Sequence, residues 1–509
     1  MKPTFANPYD AILYPSHSFA QTHPDRLAAI ATLFGMKPAP VEQCRVLELA
    51  CGDGSNLLPM AFSLPESAFV GVDLAGRPIA RGQNTAGVLG LKNVELRCED
   101  LLDFPPESGR FDFIIAHGLY AWVPATVQDK LLAICRAHLA PQGVAYVSYN
   151  TYPGCHLRDM LREMMLFHVR GISDPEERTR QAVGLVKFLA SAQTKPELHQ
   201  LFLQKELEHI MESTPAYLFH DDLADINEPV YFHQFARHAA GHGLQYLGEA
   251  DYVEMQEHIY APEVVLTLKQ LSGDRILREQ YLDFLKCRRF RQTLLCHVDV
   301  ALETEPRSES VKGFFISSSA NPASSDPDLR SRKLERFTGK KDAAMETDYP
   351  LAKAAMVVLR EAWPRRLKFD ELLACADELL GSRASDPAAR SEEVDTLAAI
   401  LLQTYASGLV QFHVHSPRCA VVPGERPAAS ALARLQIERG HLLTNLLHDS
   451  VMVEGELAAH LLRLLDGTRG RTELLAEMCA RIGSNDSAAI RDNLDKSLVK
   501  LAKMGLLIA

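Results

Sequence analysis

Between residues 45 and 150, short apolar runs alternate with helix-like segments. Arg45–Ala50, Ala68–Asp73, Val94–Cys98, Phe111–Ala116 and Val144–Tyr149 read as strands. Helices are expected between them, for example Val127–Leu139, ended by Pro141-Gln142-Gly143. This alternation predicts a parallel sheet with right-handed crossovers, an α/β fold. Residues 156–212 then read as three helices, Leu157–Val169, Pro175–Ser191 and Glu197–Glu212, too long for a crossover and therefore an insertion. Leu244–Gly248 and Arg291–His297 are strand-like, joined by the helical Pro262–Leu271 and Asp274–Lys286, and are expected to complete the sheet near residue 300.

The pattern changes after residue 302. Ser317-Ser318-Ser319-Ala320-Asn321-Pro322, flanked by strand-like Val311–Ile316 and Lys333–Phe337, predicts a β-rich connector with an exposed loop. Helices Leu351–Ala362, Asp370–Leu380 and Glu392–Ser407, followed by Leu409–Phe412 and Cys419–Val422 as a hairpin, make a winged-helix pattern. A similar set follows in Gly455–Leu465, Thr472–Arg481, Ala488–Met504 and Leu506–Ile508. The expected division is 1–155, a nucleotide-binding core; 156–230, a helical insertion; 231–300, completion of the first domain; 301–425, a middle domain; and 426–509, a C-terminal winged-helix-like domain.

The length of 509 residues fits roughly three domains at about 150 residues each. With 47% hydrophobic residues and 23% charged, the chain can build full-sized cores, which excludes disorder and small disulfide scaffolds. Its charge of −11 disfavours nucleic acid as a partner. The helix beginning near Ser391 agrees, because it carries Glu392, Glu393 and Asp395, and no Lys or Arg occurs from 391 through 417. Ten cysteines form no CxxC, and Cys98, Cys135 and Cys296 sit in apolar runs, so reduced, buried thiols and no metal site are expected. Met1–Phe5 opens no apolar signal segment, and the uncharged run Thr396–His415 is interrupted by Gln403, Thr404, Ser407 and Gln411. A cytoplasmic protein without membrane insertion is the expectation.

The chemistry concentrates in Val46-Leu47-Glu48-Leu49-Ala50-Cys51-Gly52-Asp53-Gly54-Ser55-Asn56, an apolar strand running into a Gly-x-Gly turn and a helix. Gly52 and Gly54 allow a tight turn and close approach of a ligand. A P-loop would need Gly-Lys-Ser/Thr, which is missing, and a dinucleotide fingerprint would need a third glycine where Leu57 stands. S-adenosyl-L-methionine (AdoMet) asks instead for an acid near the turn and acids after the second and third strands, for the ribose hydroxyls and the adenine amine. Glu48, Asp73 and Asp100 fill these places in order. Asp53, Asn56, Leu74, Leu101 and His117 complete the candidate cofactor set.

The fourth strand runs into Ala116-His117-Gly118-Leu119-Tyr120-Ala121-Trp122-Val123-Pro124, where Tyr120 and Trp122 offer aromatic faces to a sulfonium and an incoming amine. After the fifth strand, Asn150 and Tyr152 project from the same edge, and the Asn150 carbonyl suits an amine hydrogen. No residue stands out as a general base.

Glu48–Asn56, Ala116–Pro124 and Tyr149–Gly154 resemble bacterial class I AdoMet-dependent methyltransferases that carry a methyltransferase regulatory domain. Tyr14–Asp25, Phe219–Leu223, Asn227–Phe232 and Phe290–His297 extend the likeness, and Leu464–Thr468 is similar to the winged-helix tail of that family's protein lysine methyltransferases. The resemblance implies a class I Rossmann-like sheet, AdoMet as cofactor with S-adenosyl-L-homocysteine as product, and a homodimer built on the helical insertion. It further implies methylation of lysines on a protein substrate, outer-membrane proteins being the family's acceptors. Tyr14 and Phe19 then join Tyr120, Trp122, Asn150 and Tyr152 as the acceptor-site candidates. Transfer to a small molecule, or AdoMet binding without turnover, are the alternatives.

Overall fold

The structure is a computed structural model, and it describes residues 14, 17–192, 197–212, 215–257, 259–340, 343–381, 386–483 and 487–509. Met1–Phe5, and Pro15 and Ser16 of the N-terminal segment, lie outside the described residues.

Strands β1 (Arg45–Leu49), β2 (Ala68–Asp73), β3 (Val94–Cys98), β4 (Phe111–Ala116), β5 (Leu139–Asn150), β6 (Leu244–Glu249) and β7 (Phe290–His297) form one sheet in the order 3-2-1-4-5-7-6. Strands β1 to β5 pair in parallel, whereas β7 is antiparallel to both β5 and β6. The sheet is therefore mixed. Strand β5 starts at Leu139, earlier than expected, through an irregular register between Phe111 and Phe113. Helices cover both faces, which is why β4 is almost continuously apolar. Val46, Phe113 and Tyr146 enter one core, Leu47, Ile114 and Val147 the other. The strand order reverses between β1 and β4, so a crevice opens at their carboxyl ends.

Helices Cys155–Val169, Pro175–Ser191 and Leu198–Glu212 form the insertion around a separate small core. The connector carries β8 (Phe315–Ser317), β9 (Asn321–Pro322), β10 (Glu335–Thr338) and β11 (Ala344–Thr347). The Val311–Ile316 strand is corrected: Ser308–Gly313 is a 3-10 turn, and pairing begins at Phe315. Helices Pro350–Ala362, Phe369–Leu380 and Pro387–Ala406 pack on a sheet of β12 (Leu367–Lys368), β8 and β13 (Gln411–His413). The expected hairpin is also corrected, because β13 pairs with β8 rather than with Cys419–Val422. The chain after β13 is diverted by Asp25, whose carboxylate accepts the Val414 and His415 amides at 2.8 and 2.9 Å. The last unit contains the hairpin β14 (Leu442–Thr444) and β15 (Ser450–Met452), then helices Glu456–Leu464, Arg471–Ile482 and Ser487–Lys503. All ten cysteines are free, and Cys98 and Cys287 are exposed. The burial expected of Cys98 fails because strand β3 is the sheet's edge, where alternate side chains face solvent. Among the described residues no helix is long and apolar enough to cross a membrane.

Strand β7 is anchored by a buried cation. Arg291, 1% exposed, pairs with Glu249 at 2.5 Å, Asp283 at 2.9 Å and Glu279 at 3.0 Å, and lies 3.8 Å from the Phe232 ring centroid. Arg291→Ala leaves Glu249 and Glu279 without this cation and Asp283 with Arg288, and should destabilise the protein by about 3–5 kcal/mol. A large drop in melting temperature is the expected result.

Candidate active site

The chain turns sharply after β1, with positive φ at Ala50 (61°), Gly52 (58°) and Gly54 (71°). A side chain at Gly52 would meet nothing within 4 Å among the described residues, so its absence leaves the crevice side of the backbone clear. Gly54 does a different job: a Cβ there would press on Leu96 and Leu58 at 3.1 and 3.2 Å, so it packs the turn and does not line the crevice. Asp73 at the end of β2 braces the turn, its Oδ2 accepting the Gly52 amide and its Oδ1 the Ala75 amide, each at 2.8 Å. Asp100 after β3 caps the next turn by accepting the Leu102 amide at 2.9 Å. Asp53 takes the Ser55 amide and hydroxyl and faces Arg81 at 3.5 Å.

These elements open on a cleft of about 800 Å³. Leu74 and Leu101 border it beside Asp73 and Asp100. Glu48 reaches it from below, 3% exposed; Oε1 accepts the Asn56 amide at 2.7 Å, while Oε2 is buried with no partner among the described residues. Burial pushes its carboxyl up to about 8, against the Asn56 hydrogen bond, and Asp73 and Asp53 add to the rise. His117 forms part of the wall, holding Tyr146 at 2.9 Å and packing on Phe19 with ring centroids 3.8 Å apart. Burial, with His17 nearby, holds His117 down at about 3, so it is a neutral wall.

Asn56 joins three regions. It donates to Glu48 and to Thr22, at 2.7 and 3.0 Å. Its oxygen accepts the Phe19 amide at 2.9 Å and Nε2 of His448 at 3.0 Å. His448 sits between β14 and β15 with φ +66° and is 2% exposed. The C-terminal unit thus reaches the residue that holds Glu48. No signal near Asn56 in the sequence announced this partner 392 positions away.

Of the acceptor candidates, Tyr14, Phe19, Trp122 and Asn150 line the same cleft. Asn150 donates its Nδ2 to Asn227 at 2.9 Å, so it offers a ligand its carbonyl oxygen. Tyr120 is corrected. It is 2% exposed and points into the core against Phe235 and Tyr149, with its hydroxyl on His238 at 2.8 Å. The 3-10 turn Tyr120–Trp122 sends these two aromatics to different sides. Tyr152 also stands behind the wall, stacked on His156 at 3.9 Å and bonded to Asp159 at 3.0 Å. Asp159 itself lines the cleft, as do Arg158, Tyr217 and Asp221. These four were not assigned from sequence, because they lie on the insertion, remote in the chain from the glycine turn. Arg158 is held by both oxygens of Asp222 at 2.8 Å. Asp221 accepts from Tyr14 at 3.4 Å, and burial together with Asp222 pushes its carboxyl up to about 7 against Arg158.

Three family models match the chain: "Methyltransferase domain" over residues 46–143, "Predicted methyltransferase regulatory domain" over 214–297 and "PKMT, C-terminal winged helix domain" over 425–496. Uncharacterized protein RP789 of Rickettsia prowazekii is 31% identical over 492 residues, 96% of this chain and 88% of the relative. The chain belongs to the methyltransferases with this regulatory domain and PKMT winged helix. The solved structure of PKMT2 from Rickettsia typhi in complex with AdoHcy superimposes with a TM-score of 0.87, at 28% identity, over 97% of this chain and 100% of PKMT2. A second protein, RP028 of Rickettsia prowazekii, is 38% identical over 232 residues, 45% of this chain and 93% of the relative.

This methyltransferase uses AdoMet, and the residues present fit it. The buried, unpartnered Glu48 Oε2 suits a cationic amino group, and the strand-end acids suit hydroxyls. A cation at Oε2 favours ionised Glu48, so binding below about pH 8 must release a proton. AdoMet affinity should therefore rise from pH 6 to a maximum near pH 8 and fall above it as the cofactor's α-amino group, with a pKa of about 7.7–8.0, loses its charge, and Glu48→Gln should flatten the rise in calorimetric titrations. His448→Ala removes one of the donors to the Asn56 oxygen, leaving the Phe19 amide and the Thr22 hydroxyl, a loss of about 1 kcal/mol. AdoMet affinity roughly fivefold weaker in that variant, by the same titration, is the expected outcome.

Proposed function

We propose that this enzyme transfers the methyl group of AdoMet to lysine side chains of a protein substrate. The carrying observation is the acidic, aromatic end of the cleft: Asp221, bonded by Tyr14 and tuned to about 7, beside Tyr217 and the carbonyl of Asn150. A lysine ammonium suits carboxylates, and its alkyl stem suits tyrosine faces. AdoMet supplies an electrophilic methyl on a sulfonium when bound. Ionised Asp221 takes the ammonium proton, Asn150 accepts a remaining N–H, and Phe19, His117 and Trp122 exclude water. The neutral nitrogen then forms the N–C bond as the C–S bond breaks. The full-length likeness to PKMT2 supports a protein as acceptor.

In this reading residues 1–155 and 231–300 carry out the transfer, 156–230 add Tyr217 and Asp221 to the acceptor site and dimerise two copies, and 301–425 with 426–509 present the substrate in the cytoplasm. The test is transfer of labelled methyl groups from AdoMet to a lysate of the host, resolved by gel and mass spectrometry. Label on lysines of a few proteins is expected, and label confined to small molecules would overturn the proposal. Activity should rise with pH through about 7 as Asp221 ionises. Asp221→Asn should lose that limb and fall about 10²-fold at pH 7, the deficit shrinking towards the lysine's own pKa near ~10.4.

A further inference from the structure

Tyr120 left the acceptor site, and its hydroxyl leads to a different cluster. His238 lies on the helix Phe232–Gly241, and His242 follows one turn later, so both imidazoles share one side. Asp129 projects towards them from the helix Ala125–His138. Asp129 Oδ1 is 2.9 Å from His242 Nε2 and 3.5 Å from His238 Nε2, and one donor atom from each residue lies within 4.8 Å of the others. Donors around a tetrahedral ion at about 2.1 Å stand about 3.4 Å apart, and the two carboxylate–imidazole separations lie close to that.

The second shell points the same way. A metal-bound imidazole ordinarily has its other nitrogen held by a hydrogen bond, which sets tautomer and ring orientation. His238 Nδ1 is held by the Tyr120 hydroxyl at 2.8 Å, leaving Nε2 as the nitrogen that faces Asp129. The Asp129 side chain is 64% exposed and the two histidines are partly exposed, so an ion can enter from solvent and keep water as a further ligand.

From this geometry we infer that Asp129, His238 and His242 form a binding site for a borderline divalent cation such as Zn2+, stapling the helix Ala125–His138 to the helix Phe232–Gly241. Two imidazoles and one carboxylate suit zinc better than magnesium or calcium, which prefer oxygen donors. The ion displaces the imidazole–carboxylate hydrogen bond at His242. It lies on the far side of Tyr120 from the cleft, so it takes no part in methyl transfer and holds in place the turn that carries Trp122.

The test is Zn2+ titration of the chelator-treated full-length protein against a chromogenic competitor. Parallel titrations of His242→Ala and Asp129→Ala are needed, because other thiols and histidines also take up zinc. Wild type should bind one equivalent more than either variant and gain melting temperature with Zn2+, a gain the variants lack. Tyr120→Phe should keep that equivalent with affinity about tenfold weaker. Zinc uptake by wild type no greater than that of both variants, each shown by AdoMet binding to be folded, would overturn the site.

Discussion

The Asn56 side chain is the point on which the glycine-turn end of the cleft depends. One amide satisfies the β1 acid, two sites on the N-terminal segment and a histidine of the C-terminal unit. A buried amide whose donors and acceptor are all engaged fixes its own orientation, and through it Glu48 Oε1. Glu48 Oε2 is then the polar atom left over, buried and aimed at the cleft. The cost of holding it there is visible in its raised pKa, and a bound cation would offset that cost.

A second buried carboxylate ties the surrounding units together. Asp25, on the helix Pro24–Leu33, binds Arg366 at 2.9 Å, His413 at 2.7 Å and two backbone amides after β13. Burial opposes its ionisation, but Arg366 and His413 outweigh it and hold the carboxyl well below its usual range. One hydrophobic core continues from the helix Pro24–Leu33 through one face of the sheet to Phe412. The middle unit and the catalytic sheet are therefore packed against each other as one body, and the C-terminal unit adds Arg439 on Thr85 and Ser450 against Ser18. Long-range contacts of this kind give the non-catalytic half a direct physical hold on the cofactor turn.

The cleft divides chemically along its length. At the glycine turn the polar groups are backbone amides and braced acids, whereas the other end gathers Tyr14, Tyr217 and Asp221 from the N-terminal segment and the insertion. The neutral His117–Phe19 pair stands between them. The two ends are thus built from different parts of the chain, one from the turn after β1 and the other from the N-terminal segment and the insertion.

The class I sheet and the strand-end places of the candidate cofactor acids were legible in the sequence, because both are local. Strand runs and a Gly-x-Gly turn are written in consecutive residues, and Asp73 and Asp100 sit at strand ends that the turn itself predicts. The side chains of Tyr120 and Trp122 were not assignable, since two residues of a 3-10 turn diverge in ways that only the neighbouring core decides. The partners of β13 were equally out of reach, because a strand of three residues pairs where a distant edge is available. His448 on Asn56 and Tyr14 on Asp221 join positions separated by 392 and 207 residues. Sequence alone determined the sheet, its turn and its cofactor. Tertiary structure decided which buried polar groups meet, because a donor buried far from water takes whatever acceptor the packing brings, not the one nearest in the chain.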